Sequence, residues 1–331
     1  MKKKIMSWFA SATMAFALAV PVALGVVGQA YAEWPEKPVK IIVPWSPGGI
    51  TDTVARILAQ AYSDAFGQQF VVENQPGASG NIGAEAVANA EPDGYTLLMT
   101  NPGAFVTNHF LYKNMAFSPE DLDVIVTVAK FPNALIVHKD VPANTVAEFI
   151  EYAKAHPGEL SGASSGVGSS GHLSLELLKS MAGLDIVHVP YQGAAPTRVD
   201  LSAGRVQVVV DNIPGYMASF EDGSVKMLGV GTRERLEDFP DVPTIEEAGK
   251  LEGFQAIVWY ALAGPAGTPD GIASKLNAAT NEIMARDDIA GKMKNLHAIP
   301  MGGSREEAKA FIVEETTRWK AIIAAAGVEA K

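Results

Sequence analysis

Two ten-residue stretches of this 331-residue chain share one pattern. Val43-Pro44-Trp45-Ser46-Pro47-Gly48-Gly49-Ile50-Thr51-Asp52 and Val189-Pro190-Tyr191-Gln192-Gly193-Ala194-Ala195-Pro196-Thr197-Arg198 each close an apolar run, set an aromatic after a proline, and open a helical pattern with small residues. A strand-to-helix turn of this kind leaves backbone N–H groups without intrahelical acceptors, at the end of the helix where aligned peptide dipoles favour an anion. Two such turns predict one anionic ligand held from both sides. Trp45 and Tyr191, beside the turns, read either as cleft walls against the ligand's apolar body or as core. Asp52 and Arg198 end the two stretches with opposite charges in equivalent places. Arg198 is either a bidentate clamp for a second carboxylate or a first-turn residue that faces solvent or pairs with an acid across the surface; the second is preferred, because a cation is unfavourable near a helix N-terminus.

Three further places offer polar groups to the same ligand. Gly77-Ala78-Ser79-Gly80-Asn81-Ile82-Gly83 is another glycine-rich helix entry with Asn81 as a cap; either Ser79 or Asn81 faces the cleft, or the glycines serve only to let helix pack closely on strand. Thr100 and Asp211 stand at the ends of apolar runs, where open parallel sheets present their crevices, although Asp211 also suits a plain helix cap. Between Ser161 and His172, Gly162-Ala163-Ser164-Ser165-Gly166 fits a serine-hydrolase nucleophile elbow, and Gly166-Val167-Gly168-Ser169-Ser170-Gly171 fits a dinucleotide fingerprint. No acid completes a triad, and the place where a ribose-binding acid belongs holds Val189, Pro190 and Tyr191. What survives is a cluster of donors at a helix start. The candidate ligand set is therefore Trp45, Ser46, Pro47, Gly48, Gly49, Asp52, Ser79, Asn81, Thr100, Ser164, Ser169, His172, Tyr191, Gly193, Ala194, Ala195, Thr197 and Asp211. The six histidines, at 109, 138, 156, 172, 188 and 297, show no metal-ligand spacing, so neither metal nor cofactor is expected.

The elements that must position these residues alternate. From Val39 onward short β-branched runs alternate with helical patterns, as in a mostly parallel sheet covered by helices. Strands are predicted at 39–44, 69–73, 95–100, 134–138, 160–163, 186–190, 206–211, 225–229 and 256–263. Helices are predicted at 51–66, 81–90, 146–155, 169–181, 196–203, 215–220, 269–285 and 305–326. The simplest folding of this series is a two-lobed α/β protein of the periplasmic-binding-protein type. Residues 33–132 and 256–331 form one lobe, 133–255 the other, and the ligand lies in the cleft between them.

Lys2, Lys3 and Lys4, an apolar stretch to Val27 and Ala30-Tyr31-Ala32 read as a signal peptide, residues 1–32. Removing those 32 of 331 residues leaves 299, enough for two domains of ordinary size, with 23 basic against 37 acidic side chains. Such a surface repels nucleic acid and anionic membrane. The chain has no cysteine, which excludes disulfides, thiolate catalysis and a lipidated N-terminal cysteine.

Ordered motifs across the mature chain carry a family resemblance. They include Trp34-Pro35, Ile41-Ile42-Val43-Pro44 with Pro47-Gly48-Gly49 and Asp52, and Val71-Val72-Glu73-Asn74 with Pro76-Gly77-Ala78. Gly80-Asn81-Ile82-Gly83, Pro92-Asp93-Gly94-Tyr95, Asp241-Val242-Pro243-Thr244 and Pro265-Ala266-Gly267-Thr268-Pro269 continue it. The chain resembles the periplasmic solute receptors of tripartite tricarboxylate transporters, the Bug family. That resemblance implies a monomeric, non-catalytic periplasmic receptor that closes on a small mono- or dicarboxylate and hands it to membrane permease subunits. Its carboxylate would lie between the loops at Ser46–Asp52 and Gln192–Thr197, and the family's usual apolar residues near Trp45 and Arg198 leave those two positions as possible tuners of this member's ligand. The alternatives are an exported sensor component and a serine hydrolase using Ser164. Mass spectrometry of the exported protein should find Glu33 as its first residue; an intact Met1 in the soluble periplasmic fraction would overturn the cleavage assignment.

Overall fold

The computed structural model describes residues 34–325; the leader lies outside them. Its ten strands are β1 (Val39–Val43), β2 (Phe70–Asn74), β3 (Thr96–Thr100), β4 (Leu122–His138), β5 (Ser161–Ser164), β6 (Val187–Pro190), β7 (Val208–Asn212), β8 (Val225–Val230), β9 (Ile257–Pro265) and β10 (Ile299–Pro300). They pair in the order β2-β1-β3-β9-β4-β7-β5-β6, with β8 and β10 also on β4. The strands that precede the site, β1 and β6, lie in the parallel flanks β2-β1-β3 and β7-β5-β6. In the middle, β3-β9-β4-β7 is antiparallel.

Both faces of the inner flank strands β1 and β7 are covered, which explains their apolar runs. Along β1, Val39, Ile41 and Val43 enter a core with Val54, Leu58 and Tyr62 of helix Ile50–Phe66, whereas Ile42 enters another with Leu98, Phe105 and Trp259. The end of β4 repeats the arrangement: Leu135 and Val137 face Phe149 and Leu178, and Ala134 and Ile136 face Leu201 and Tyr216. The last helix, Arg305–Ala325, returns to the first of these regions, where Trp319 is buried beside Trp259. Glu315 accepts from the indole N–H of both, at 2.8 Å from Trp259 and 3.0 Å from Trp319.

The 17-residue β4 is the member that joins the halves. Leu122–Pro132 pairs with β9, and Asn133–His138 pairs with β7 and β8. Only its last five residues are predicted from sequence, where the second series starts at Ala134. The strand runs on through this point because Asn133 is bonded on both sides. Its N–H donates to Ala256 O at 2.9 Å, and its carbonyl accepts from Gly231 N at 2.7 Å. Ala256 N in turn donates to Gly231 O at 2.9 Å, so three segments are laced where the two halves meet. Helix Asp287–Asn295 and the turn of π-helix at Gly103–Thr107 are likewise absent from the predicted series.

The lacing leaves no room for a side chain at Gly231. A Cβ there would lie 2.5 Å from Ala256 O, a backbone atom that cannot step aside. Gly231→Val is therefore expected to destabilise by about 1–3 kcal/mol, the usual cost of overpacking. An unchanged urea midpoint would show that the crossing is slack.

Candidate functional site

The first turn is fixed by the side chains that follow it. Gly48 adopts φ 79°, a conformation most L-residues avoid, and this turns its N–H toward Asp52, which accepts it at 3.0 Å. Asp52 also accepts from Arg56 Nε at 3.0 Å and Arg56 Nη2 at 2.9 Å, and from Asn74 Nδ2 at 3.0 Å. Asn74 Nδ2 holds the carbonyl of Trp45 at 3.0 Å as well. Burial pushes the Asp52 carboxyl up, but the bonds from Arg56, Gly48 and Asn74 outweigh it and hold it below the ordinary carboxylate value. Asp52 thus binds the turn from behind and does not line a cavity.

The second turn is held from within. Gly193, at φ 118°, donates its N–H to Ser165 O at 3.0 Å, and the buried Thr197 hydroxyl bonds to Gly193 O at 3.0 Å and Ser164 O at 3.3 Å. Thr53 makes the same bond to Gly49 O, also at 3.0 Å. Gly49 and Gly193 are the N-caps of helices Ile50–Phe66 and Ala194–Ser202. This corrects the alignment expected from sequence: Thr53 corresponds to Thr197, Asp52 to Pro196 and Arg198 to Val54. The first turn is two residues longer, so Asp52 and Arg198 are not equivalent.

Neither capping glycine has a side chain to satisfy the first helical N–H groups, and neither helix has a side-chain cap. Thr145, Ser169 and Thr244, by contrast, cap their helices from their own hydroxyls. The two turns touch where Ser46 Oγ donates to Gln192 O at 3.5 Å. Beside that contact lies a cavity of about 240 Å³. Trp45, Ser46, Pro47, Gly48, Gly49, Ile50, Thr51 and Thr53 line it from the first turn, and Gly193, Ala194, Ala195 and Arg198 from the second. Asn101, Ser165, Ser170, Asp211, Asn212, Pro214, Gly215, Tyr216, Tyr260 and Leu296 complete the wall.

Arg198 is half-buried and turned into this space, contrary to the solvent-facing reading. Gly215 makes room for it; a Cβ at Gly215 would come within 3.3 Å of its Nη1. Among the described residues no carboxylate stands within ion-pair distance of Arg198, though its charge is felt by Asp211. Asp211 is buried, accepting from Asn212 N at 2.8 Å and from the Tyr216 hydroxyl at 3.0 Å. Burial pushes its carboxyl up, and those two bonds with the Arg198 charge draw it part of the way back. The phenol of Tyr260, bonded to Thr51, is raised by burial.

A second space of about 360 Å³ shares Trp45, Ser46, Ser165 and Gly193 with the first and extends to Ser79, Tyr112 and Tyr191. Trp45 and Tyr191 each line a space while packing on a core, so both readings of these aromatics apply. Ser79 Oγ accepts from Tyr112, and Tyr191 donates to Asp200 at 2.6 Å; burial and the Asp200 charge push its phenol up to about 12.

The remaining candidates lie outside both linings. Asn81 is bonded to Asn108 and to Met115 Sδ; Thr100 is buried at the end of β3; Thr197 and Ser169 serve their own helices. Ser164 is 1 % exposed and bonds His188 Nε2 at 2.7 Å, and His188 stacks at 4.0 Å on His172, whose Nδ1 accepts from Gly168 N. The pair is serine–histidine, but neither cavity wall includes Ser164.

The sequence model described as "Tripartite tricarboxylate transporter family receptor" matches residues 54–328. The chain belongs to this family of periplasmic solute-binding receptors. It is similar to Protein BugT of Bordetella pertussis, 33% identical over 300 residues that cover 90% of this chain and 92% of the relative. Among solved structures of the fold, R. palustris Rpa4515 with adipate is 38% identical with a TM-score of 0.87, covering 90% of this chain and all of that one. MatC from Rhodopseudomonas palustris with bound malate is 32% identical with a TM-score of 0.82, over 88% of this chain and 100% of that chain. No helix among the described residues is long and apolar enough to cross a membrane, in keeping with the receptor family.

Tyr260 and Asn101 escape sequence reading because a tyrosine in a core strand and an asparagine after one carry no signal of direction. Arg198 is visible in the sequence, and the helix-dipole argument is what counts against it. Asp52→Ala should cost about 1–3 kcal/mol through the bonds it strands. Because the folded carboxyl titrates below its unfolded value, this contribution is complete above the unfolded value near ~4 and is lost as pH falls through the folded one. Unfolding curves of wild type and variant should converge below about pH 4; a constant gap down to pH 2 would refute the role.

Proposed function

We propose that this protein binds a small organic carboxylate between the turns at Ser46–Ile50 and Gln192–Ala195 and delivers it to the membrane subunits of a tripartite tricarboxylate-type transporter. The observation that carries the reading is the pair of uncapped helix starts that meet over one cavity beside a half-buried arginine. A protein with formal net charge −11 repels an anion at long range, so capture relies on such local donors. The named ligands of similar receptors, adipate and malate, are carboxylates. On this reading the mature protein works in the periplasm as a monomer. Residues 33–132 with 256–331 form one lobe and 133–255 the other, closing about the crossing at Asn133, Gly231 and Ala256.

Thermal-shift and calorimetric titration with a panel of mono- and dicarboxylates should find at least one that raises Tm through mass action. Gly193→Val should weaken that ligand by about 100-fold or more, because a β-branched residue cannot hold φ 118° and the helix start would turn away. Full affinity in a folded Gly193→Val protein would remove the second turn from the site.

A further inference from the structure

Arg198 and Asp211 line the same cavity without forming an ion pair with each other. A half-buried guanidinium with no acid in contact and a buried carboxylate with no cation in contact are both costly arrangements. Each is held in place by other means. Arg198 is accommodated by the bare backbone of Gly215, and Asp211 is anchored by Asn212 N at 2.8 Å and Tyr216 at 3.0 Å. The anchoring bonds leave each Asp211 oxygen further acceptor capacity. An anion alone would satisfy Arg198 and be repelled by Asp211. A cation alone would do the reverse, and would also oppose the two helix starts. The group that satisfies both is a carboxylate with a hydrogen-bond donor on the neighbouring carbon.

Resting on the carboxylate-receptor reading, we propose that Arg198 and Asp211 are the specificity-determining pair of this receptor and that they select a dicarboxylate bearing a 2-hydroxyl or 2-ammonium group. One ligand carboxylate takes the uncapped N–H groups of the turns. The other takes Arg198 through parallel N–H···O bonds, and the substituent donates to Asp211. Burial, which disfavours the Asp211 charge, adds to the reward for a donor that meets it. The cavity of about 240 Å³ holds the equivalent of roughly eight waters at ~30 Å³ each, room for a short diacid.

The test is calorimetry on the full mature protein with two length-matched series. These are butanoate, succinate, malate and aspartate, and hexanoate, adipate, 2-hydroxyadipate and 2-aminoadipate. In the length that binds, the 2-substituted diacid should exceed the plain diacid by about 10-fold or more. The preference between malate and aspartate, or between their longer counterparts, tells a hydroxyl from an ammonium. Arg198→Leu should cost diacids about 100-fold while moving the monoacid less than about 3-fold, and Arg198→Lys should recover part of the loss. Asp211→Asn should erase the gain from the substituent while the plain diacid binds at least as tightly as to wild type, because the carboxylate that repels it is gone. Unfolding midpoints of each variant separate lost selectivity from lost fold. If diacids bind but Arg198→Leu weakens mono- and diacids alike, or folded Asp211→Asn keeps the substituent's advantage, the proposed pair is overturned while the receptor reading stands. Wild-type protein that binds no member of either series, nor any acid of the wider panel, overturns both.

Discussion

The site depends on a deficiency: the two helices that open on the cavity begin at glycine. A helix start with serine or threonine at its N-cap spends one of its free N–H groups on its own side chain, as Thr145, Ser169 and Thr244 show. Gly49 and Gly193 leave those groups without a side-chain acceptor, and the threonine four residues on, Thr53 or Thr197, ties the glycine carbonyl back without covering the N–H face. The turn is held rigid from its carbonyl side and left unsatisfied on the other. For a receptor this is preorganisation: the donors are already aimed, so less ordering is left to occur when the ligand arrives.

Keeping two such ends opposed requires a frame that runs through both halves of the sheet. β4 provides it, since one strand pairs with β9 over its first part and with β7 and β8 over its last. The hydrogen bonds among Asn133, Gly231 and Ala256 then fix where the three segments pass. The parallel flanks turn the C-terminal ends of β1 and β6 toward the same cavity, and the antiparallel centre lets the chain return by β9 to complete the first half. Asp52, Asn74 and Arg56 complete the frame locally by pinning the first turn to the end of β2.

Much of this was legible because periodicity and punctuation report local structure directly. The helix predicted at 146–155 is the observed Val146–Ala155, and the start predicted at 305 is that of Arg305–Ala325. Facts that depend on long-range partners were not legible. The continuity of β4 through Pro132-Asn133 is one of them, because nothing local reveals that Ala256 and Gly231 bond Asn133 on both sides. The doubled turn was found, but residue types aligned it on Val-Pro-aromatic, whereas the helices align it on glycine, two residues away. That shift moved Arg198 out of equivalence with Asp52. It also explains why the helix-dipole argument misjudges Arg198: as the fifth residue of helix Ala194–Ser202 it lies beyond the first turn, and its long side chain reaches across the bare backbone of Gly215 into the cavity.

The serine–histidine contact at Ser164 shows why site geometry has to be judged with access. At 2.7 Å from His188 Nε2, Ser164 has the spacing of an activated nucleophile. Its oxygen is nonetheless engaged with Gly166 on both sides, accepting from the N–H at 3.2 Å and donating to the carbonyl at 3.1 Å. The stacked His172 and His188 fill the space behind it. The same hydroxyl therefore shapes the loop whose carbonyls, Ser164 O and Ser165 O, hold Thr197 and Gly193 in the second turn. A motif that suggests hydrolysis in sequence thus supports the turn that exposes free N–H groups to an anion.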